Sequence, residues 1–394
     1  MGYRSIKQIK NLKDKKVLVR VDFNVPIKSG KVLEDIRMQR SLGTINYLLK
    51  KGAIVVLMSH LGRPGGKRIV KYSLRPVSRH LSRLIKKSVQ FNNAKVGSSI
   101  FYNKIDKLGD GKIMMIENTR FYQGDKKNSL SFAKALAKDF DIYVNDAFSV
   151  SHRAHASVVG VAKYLPAFAG LNLLNEVTHL LKIQKNVKKP LVVVIGGAKI
   201  STKIQVIKQY LPKARCVLLG GGLVANLLKV TGREVGASLV DKKGVKAAKG
   251  LVKYFGKKIC MPVDLVVGDA KTFKKIKTVS VKDANPIICK KGQAIYDIGP
   301  KSVKEYKKHF KGAKTIIWNG PLGMIEVPAF SKSTEDIAKA IAGSKAKSYV
   351  GGGETLMMVN KLGLMKKMTF VSTGGGAMLE FLEGKKLPGL KILK

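Results

Sequence analysis

The chain has 394 residues, 45% hydrophobic and 25% charged, a balance that excludes a disordered or collagen-like polymer. At roughly 100–200 residues per domain, this length predicts two domains, each long enough to bury its own core. Lysine and arginine number 75 against 25 acidic residues, a net charge of +50, which makes anionic partners the first expectation: nucleic acid, an anionic membrane or phosphorylated metabolites.

The chain opens MGYRSIKQIK, without an apolar signal core, and reads as unprocessed. Short β-branched runs then alternate with amphipathic helical patterns from end to end, which predicts an α/β fold of parallel strands joined by crossover helices. In the first half the predicted strands are 16–22, 53–58, 113–116 and 141–145. Between them lies a helix capped by Ser73, whose Leu74, Val77, Leu81, Leu84 and Ile85 recur at helical spacing and read as core. Residues 166–186 open with Pro166 and carry Leu171, Leu174, Val177 and Leu181 without a breaker, so they predict one long helix joining the domains. The second half holds predicted strands at 191–195, 216–219, 315–318, 348–350 and 368–371. The stretch 270–295 has no clear pattern. Apolar runs such as 191–195 end in glycine after a few residues, far short of the roughly 18 a membrane-spanning helix needs. Three isolated cysteines, Cys216, Cys260 and Cys289, offer no CxxC spacing and no disulfide framework, which favours a reducing cytoplasm.

All five strands of the second half run into glycine: Gly196-Gly197-Ala198-Lys199, Gly220-Gly221-Gly222, Asn319-Gly320-Pro321, Gly351-Gly352-Gly353-Glu354-Thr355 and Gly374-Gly375-Gly376. In an open parallel sheet the carboxyl ends of the strands line the ligand crevice. Glycine there lets backbone approach a ligand, and a following helix offers unpaired N–H groups to anionic oxygens, so a nucleotide polyphosphate is the expected guest. Any one such loop is equally well a tight strand-to-helix turn; five at one edge favour the site. No loop matches GxxxxGK[ST]. Gly220, Gly222 and Ala225 fit GxGxxA loosely, with Asp241 21 residues after Gly220, which keeps a dinucleotide-binding dehydrogenase open. Lys199 and Lys203 stand four apart at the expected start of a helix, placed to hold a transferring phosphate. Glu326 suits a ribose hydroxyl and Glu354 a hydrated magnesium ion, although each also reads as an ordinary helix-start carboxylate.

Thirteen of the 75 basic residues are arginines, and eleven of the thirteen fall within residues 1–153, whereas the lysines are scattered along the chain. Asp22 and Asn24 follow the first strand, His60 and Arg63 the second, Arg120 the third, and Asp146 and Arg153 the fourth, with Arg37 in the first crossover. Arginine's planar fork binds phosphate and carboxylate oxygens bidentately, so this set describes a small, strongly anionic substrate. A nucleic-acid groove, suggested by charge alone, would need basic runs interleaved with aromatics. The lysines form no long run and show little aromatic interleaving.

The segments RVDFNVP (20–26), MSHLGRP (58–64), ENTRFY (117–122), SHRAHAS (151–157), GGAK (196–199), WNGPLG (318–323), GGGET (351–355) and STGGGA (372–377) together resemble the phosphoglycerate kinases over nearly the whole chain. The resemblance implies two doubly wound parallel-sheet domains joined by a long helix. Residues 1–165 would bind 3-phosphoglycerate, 166–186 would form the interdomain helix, 187–372 would bind nucleotide, and 373–394 would begin at the nucleotide site and return toward the first domain. The implied activity is reversible phosphoryl transfer between 1,3-bisphosphoglycerate and MgADP, giving 3-phosphoglycerate and MgATP on hinge closure, by a cytoplasmic monomer with small-molecule partners only. Asp22, Phe23, Asn24, Arg37, His60, Leu61, Gly62, Arg63, Arg120 and Arg153 would bind the glycerate. Lys203, Gly220, Gly221, Asn319, Glu326, Gly351, Gly352, Gly353, Glu354 and Thr355 would bind the nucleotide. Arg37, Lys199, Lys203, Gly352 and Gly375 would stabilise the phosphoryl group in flight, and Glu354 would meet the magnesium. The family commonly has aspartate where this chain has Glu354. ENTRFY and GGGET look closest to archaeal members.

Overall fold

The computed structural model describes residues 2–281 and 286–394, so Met1 and part of the unassigned stretch 270–295 lie outside the described residues. The chain divides into two compact units, Met1–His179 with Lys385–Lys394, and Leu180–Gly384.

The first unit is built on a six-stranded sheet whose strands are all parallel. Its lateral order is Val89–Asn92, Ile113–Ile116, Ile54–Met58, Lys16–Arg20, Ile142–Asn145, Ala167–Ala169. Ile54–Met58 and Ile113–Ile116 are buried along their whole length, as expected where crossover helices cover both faces. The helix Ile36–Lys50 buries Met38, Ile45, Leu48 and Leu49. The helix predicted after Ser73 runs Arg75–Ile85 with Leu74 at its cap position. Ser73 Oγ still accepts from Arg75 N at 3.2 Å. Leu74, Val77 and Leu81 are core, whereas Leu84 and Ile85 are only partly buried.

The second unit repeats the plan. The parallel strands Ile259–Cys260, Cys216–Leu219, Leu191–Ile195, Thr315–Asn319, Lys347–Gly351 and Phe370–Val371 lie in that order across the sheet. Numbered along the chain this is 3-2-1-4-5-6, the order of doubly wound nucleotide-binding sheets, which places a crevice where the order reverses, between Leu191–Ile195 and Thr315–Asn319. In and around the stretch without a sequence pattern, Lys277–Ser280, Asp264–Asp269 and Gln293–Ile298 form an antiparallel sheet, and Ile287–Cys289 pairs with Glu234–Val235.

The predicted helix 166–186 is corrected. Residues Ala167–Ala169 are the sheet's last strand, paired in parallel with Ile142–Asn145, and the helix begins only at Leu171 and ends at Lys185. Gly170 N donates to Asn145 O at 2.9 Å, which extends the ladder to the helix start. The division between the two units falls inside this helix. At the other end of the chain, Gly376–Leu382 is a helix of the second unit. Pro388–Lys391 belongs to the first, where Asn145 Nδ2 donates to Gly389 O at 3.0 Å.

Candidate functional site

In the first unit the loops after three neighbouring strands are tied to one another. Asn24 Oδ1 accepts from Gly62 N at 2.8 Å, and Arg120 Nη1 donates to Gly62 O at 2.6 Å. Gly62 has φ +61°, and a Cβ there would lie 2.3 Å from the Tyr72 ring, so any side chain would be strained and would have to displace that ring. Ser59 Oγ accepts from Phe23 N at 2.9 Å. Asn118 clamps Leu61 from both sides, accepting from its N–H at 3.2 Å and donating to its carbonyl at 2.8 Å.

Asp22 lies at the centre. Its Oδ2 accepts from Arg37 Nη1 and from Ser149 Oγ, the latter at 2.5 Å, and its Oδ1 accepts from Asn24 N at 3.3 Å. Burial alone would raise its pKa, but the neighbouring positive charge, Arg37 first, and the Ser149 hydroxyl outweigh burial and hold it down at about 2. Arg20, fully buried, donates Nε to Ser157 Oγ at 3.2 Å and Nη1 to Val21 O at 2.5 Å, and its Nη2 lies 3.1 Å from His60 Nδ1. Burial, and then the Arg20 charge, push His60 well below the usual histidine range. A neutral ring whose Nδ1 accepts from a guanidinium carries its proton on Nε2, so His60 is a hydrogen-bond donor.

Arg63 and Arg153 are exposed, while Arg37 and Arg120 are partly buried. Burial, followed by repulsion from Arg153 and Arg20, lowers Arg120 to about 10. Guanidinium groups that disfavour one another in this way are relieved by a multiply charged anion.

In the second unit the glycine loops interlock at the crevice between Leu191–Ile195 and Thr315–Asn319. Gly197 N donates to Pro321 O at 2.8 Å and Gly221 N to Leu322 O at 2.7 Å. A Cβ on Gly196 would lie 2.0 Å from Pro321 O, and one on Gly220 would lie 2.4 Å from the Leu322 side chain. These two glycines therefore serve loop-on-loop packing. Gly353 and Gly375, by contrast, face open space at the starts of the helices Gly353–Lys361 and Gly376–Leu382, where unpaired N–H groups favour an anion.

Lys199 and Lys203 do not share one helix: a 3-10 turn, Ile200–Thr202, separates them, and Lys203 caps Ile204–Tyr210. Lys199 is exposed, while Lys203 turns inward, donating Nζ to Asn319 Oδ1. Burial lowers Lys203 to about 8, against the partial support of Glu354. Thr355 Oγ1 accepts from Gly320 N at 3.0 Å, joining the Gly351 and Asn319 loops.

Beside these loops lies a cavity of about 300 Å³ walled by Ala237, Leu239, Ile295, Tyr296 and Met324, with Gly221, Glu326 and Glu354 also on its lining. The apolar wall was not readable from the sequence, because Ile295 and Tyr296 belong to the strand Gln293–Ile298, which begins inside the unassigned stretch. Its size and lining suit a flat heteroaromatic ring. Partial burial, followed by the neighbouring Glu326, raises the Glu354 pKa. Two carboxylates that repel one another beside open helix starts are a hard oxygen donor set, which fits a hydrated magnesium ion. Asp241 is differently engaged: its Oδ2 accepts from Ser201 N at 3.0 Å, which counts against a dinucleotide ribose there.

Comparison with known proteins gives the family. The family model for phosphoglycerate kinase matches residues 6–385. The phosphoglycerate kinase of Borreliella afzelii is 43% identical over 397 residues, covering 100% of both chains, and that of Leptospira biflexa is 46% identical over 386 residues, covering 97% of this chain and 96% of the relative. Among solved structures, phosphoglycerate kinase from Coxiella burnetii is similar with a TM-score of 0.81 at 40% identity, covering 100% of this chain and 99% of that one. The enzyme from Pyrococcus horikoshii matches with a TM-score of 0.88 at 32% identity, covering 99% and 98%. With a family model spanning nearly its whole length and full-length relatives above 40% identity, the chain belongs to the phosphoglycerate kinase family.

Proposed function

We propose that the two sites divide the reaction between them: the arginine cluster of the first unit holds the glycerate substrate, and the glycine loops and apolar cavity of the second hold the nucleotide. The activity itself is that of the family, phosphoryl transfer between 1,3-bisphosphoglycerate and ADP as a step of glycolysis. The observation that carries the division is the pairing of Asp22 with Arg37 inside a set of mutually repelling arginines, beside His60 as a neutral donor.

Asp22 and Asn24 orient Arg37 and the loop of Gly62, leaving His60, Arg63, Arg120 and Arg153 to meet the phosphate and carboxylate of 3-phosphoglycerate. In the direction of ATP use, the substrate carboxylate attacks the terminal phosphorus, an O–P bond forms to it, the bond to the bridging oxygen breaks, and ADP leaves with that electron pair. A carboxylate is already a nucleophile, so neither a general base nor a covalent intermediate is required. Catalysis is positioning plus charge stabilisation of a loose, in-line transition state. Lys203 and the open N–H groups at Gly353 and Gly375 stabilise the nucleotide phosphates. Arg37 and Lys199 meet the phosphoryl group when both ligands draw the units together, which also excludes the water that would hydrolyse the acyl phosphate. Glu354 would hold magnesium, with Glu326 beside it or on the ribose. The ion supplies charge neutralisation on the phosphates.

We take the working form as a cytoplasmic monomer acting on small molecules. Among the described residues no helix is long and apolar enough to cross a membrane. For lineage, ENTRFY and GGGET supported closeness to archaeal members, whereas the bacterial relatives above share 43% and 46% identity against 32% for Pyrococcus horikoshii. We therefore propose the enzyme without that subtype. A coupled assay of ADP release from ATP tests the function. Release should require 3-phosphoglycerate, and release independent of it would contradict the proposal.

A further inference from the structure

The three cysteines are isolated in the sequence, yet the fold brings two of them to one place. Cys216 and Cys260 lie on the adjacent parallel strands Cys216–Leu219 and Ile259–Cys260, where Leu218 is in register with Cys260. Cys216 is thus two residues from register with Cys260, and because side chains alternate with a period of two, both point to the same face of the sheet. On that face lies the helix Pro300–Phe310, whose Tyr306 hydroxyl is 2.7 Å from Leu219 O and 2.9 Å from Cys260 O. This seats His309 over the two thiols. Cys260 Sγ is 3.8 Å from His309 Nε2, and the Sγ atoms of both cysteines and a ring nitrogen of His309 all lie within 4.8 Å of one another.

We propose that Cys216, Cys260 and His309 form a Cys2His site for a thiophilic d10 cation, zinc first, that fastens the short edge strand Ile259–Cys260 to the sheet. Tetrahedral zinc, with bonds of about 2.3 Å to sulfur and about 2.0 Å to nitrogen, holds its ligand atoms roughly 3.3–3.8 Å apart. The observed spacing reaches this by small side-chain rotations. A disulfide is the poorer alternative, since diagonal neighbours on adjacent strands stand about 7–8 Å apart at Cα, beyond the usual disulfide span. The fourth position opens on a cavity of about 390 Å³ whose lining includes Cys260, Glu305 and His309. Water fills that position, or Glu305, which lies four residues before His309 on the same helix.

The charges around the site are mixed. Arg215 donates to His309 O and disfavours a cation. Glu305 lies near His309 with the opposite sign, although Lys308 pairs with it at 2.7 Å. As a ligand His309 binds through its neutral imidazole. Binding releases the thiol protons to solvent, and the two thiolates offset the charge of the ion.

The test uses the full chain without an affinity tag, stripped with a chelator and titrated with zinc against a chromophoric competitor, then with cadmium to read thiolate-to-metal absorption. One zinc per chain, an absorption band of two thiolates, protection of Cys216 and Cys260 from alkylation and a higher melting temperature with zinc are expected. Cys260→Ser and His309→Gln should lose stoichiometric binding, while Cys289→Ser keeps it and all three retain kinase activity. Absence of stoichiometric zinc in the native chain, equal binding by His309→Gln, or a Cys216–Cys260 disulfide in its place would overturn the proposal. Alkylation protection is read on the native chain, so a variant that fails to fold does not shield the proposal from refutation.

Discussion

Arg37 Nη1 donates to Asp22 Oδ2 across 15 positions of sequence, joining the loop after the first strand to the first turn of the first crossover helix. One partner is buried and the other partly open. The pair therefore fixes the guanidinium on the side that faces Asp22 and leaves its remaining donors for a ligand.

The ion pair should make stability depend on pH. Asp22 sits at about 2 in the folded chain against an ordinary 3.8. Its contribution is therefore fully present above the unfolded value and is lost as pH falls from 3.8 toward 2. A shift of this size corresponds to about 2 kcal/mol. Urea unfolding of Asp22→Asn should show a deficit of that order at neutral pH that shrinks near pH 2. A deficit independent of pH would mean that packing, not charge, is what Asp22 supplies.

Arg37→Lys keeps the charge but loses the fork, so it should lower kcat more than it raises KM for either substrate. A contact to a phosphoryl group in flight is worth on the order of 3 kcal/mol of transition-state stabilisation, about a hundredfold in rate. Steady-state kinetics with an unchanged kcat would remove Arg37 from the transfer step.

Arg63→Ala and Arg120→Ala should raise KM for 3-phosphoglycerate about tenfold or more while leaving ADP affinity nearly alone. They should also differ from each other. Arg63 is exposed, whereas Arg120 holds the Gly62 carbonyl, so only Arg120→Ala should also lower the melting temperature. Calorimetry of ADP binding decides the assignment, since an equal loss of ADP affinity would contradict one ligand per unit.

Lys203 gives a second pH signature. With a folded pKa of about 8 it is half charged near that pH, and an anionic nucleotide favours the charged form, so ADP binding should take up a proton and weaken as pH rises past about 8. In Lys203→Arg, whose charge persists at every working pH, the decline should vanish. Calorimetry in buffers of different ionisation enthalpy measures the proton directly.

Most of this arrangement was legible because parallel strands buried on both faces must be short apolar runs, and because the loops of both sites follow those runs immediately. The helix start at 166 was misread because Pro166 suits a first helical turn as well as a strand entry. Only pairing with Ile142–Asn145 decides for the strand. The apolar cavity was hidden for a different reason. Ala237 with Leu239, Tyr296 and Met324 come from three separate segments, and none carries a local signal. Glycine was legible as a motif but ambiguous as chemistry: Gly196 and Gly220 are needed by neighbouring loops, while Gly353 and Gly375 face open space. The Cys216, Cys260 and His309 cluster had no sequence spacing at all, since its members come from two strands and a helix.

The central claim is that neither unit completes the phosphoryl site alone, and small-angle scattering tests it most directly. Four samples are compared: the free chain, the chain with 3-phosphoglycerate, with a non-hydrolysable ATP analogue and magnesium, and with both. Each ligand alone satisfies one set of charges, whereas both together favour closure, so the population should shift chiefly in the ternary sample. A drop in radius of gyration concentrated there is the expected result; an equal radius in all four, from enzyme that turns over normally, would contradict closure and favour a preformed site.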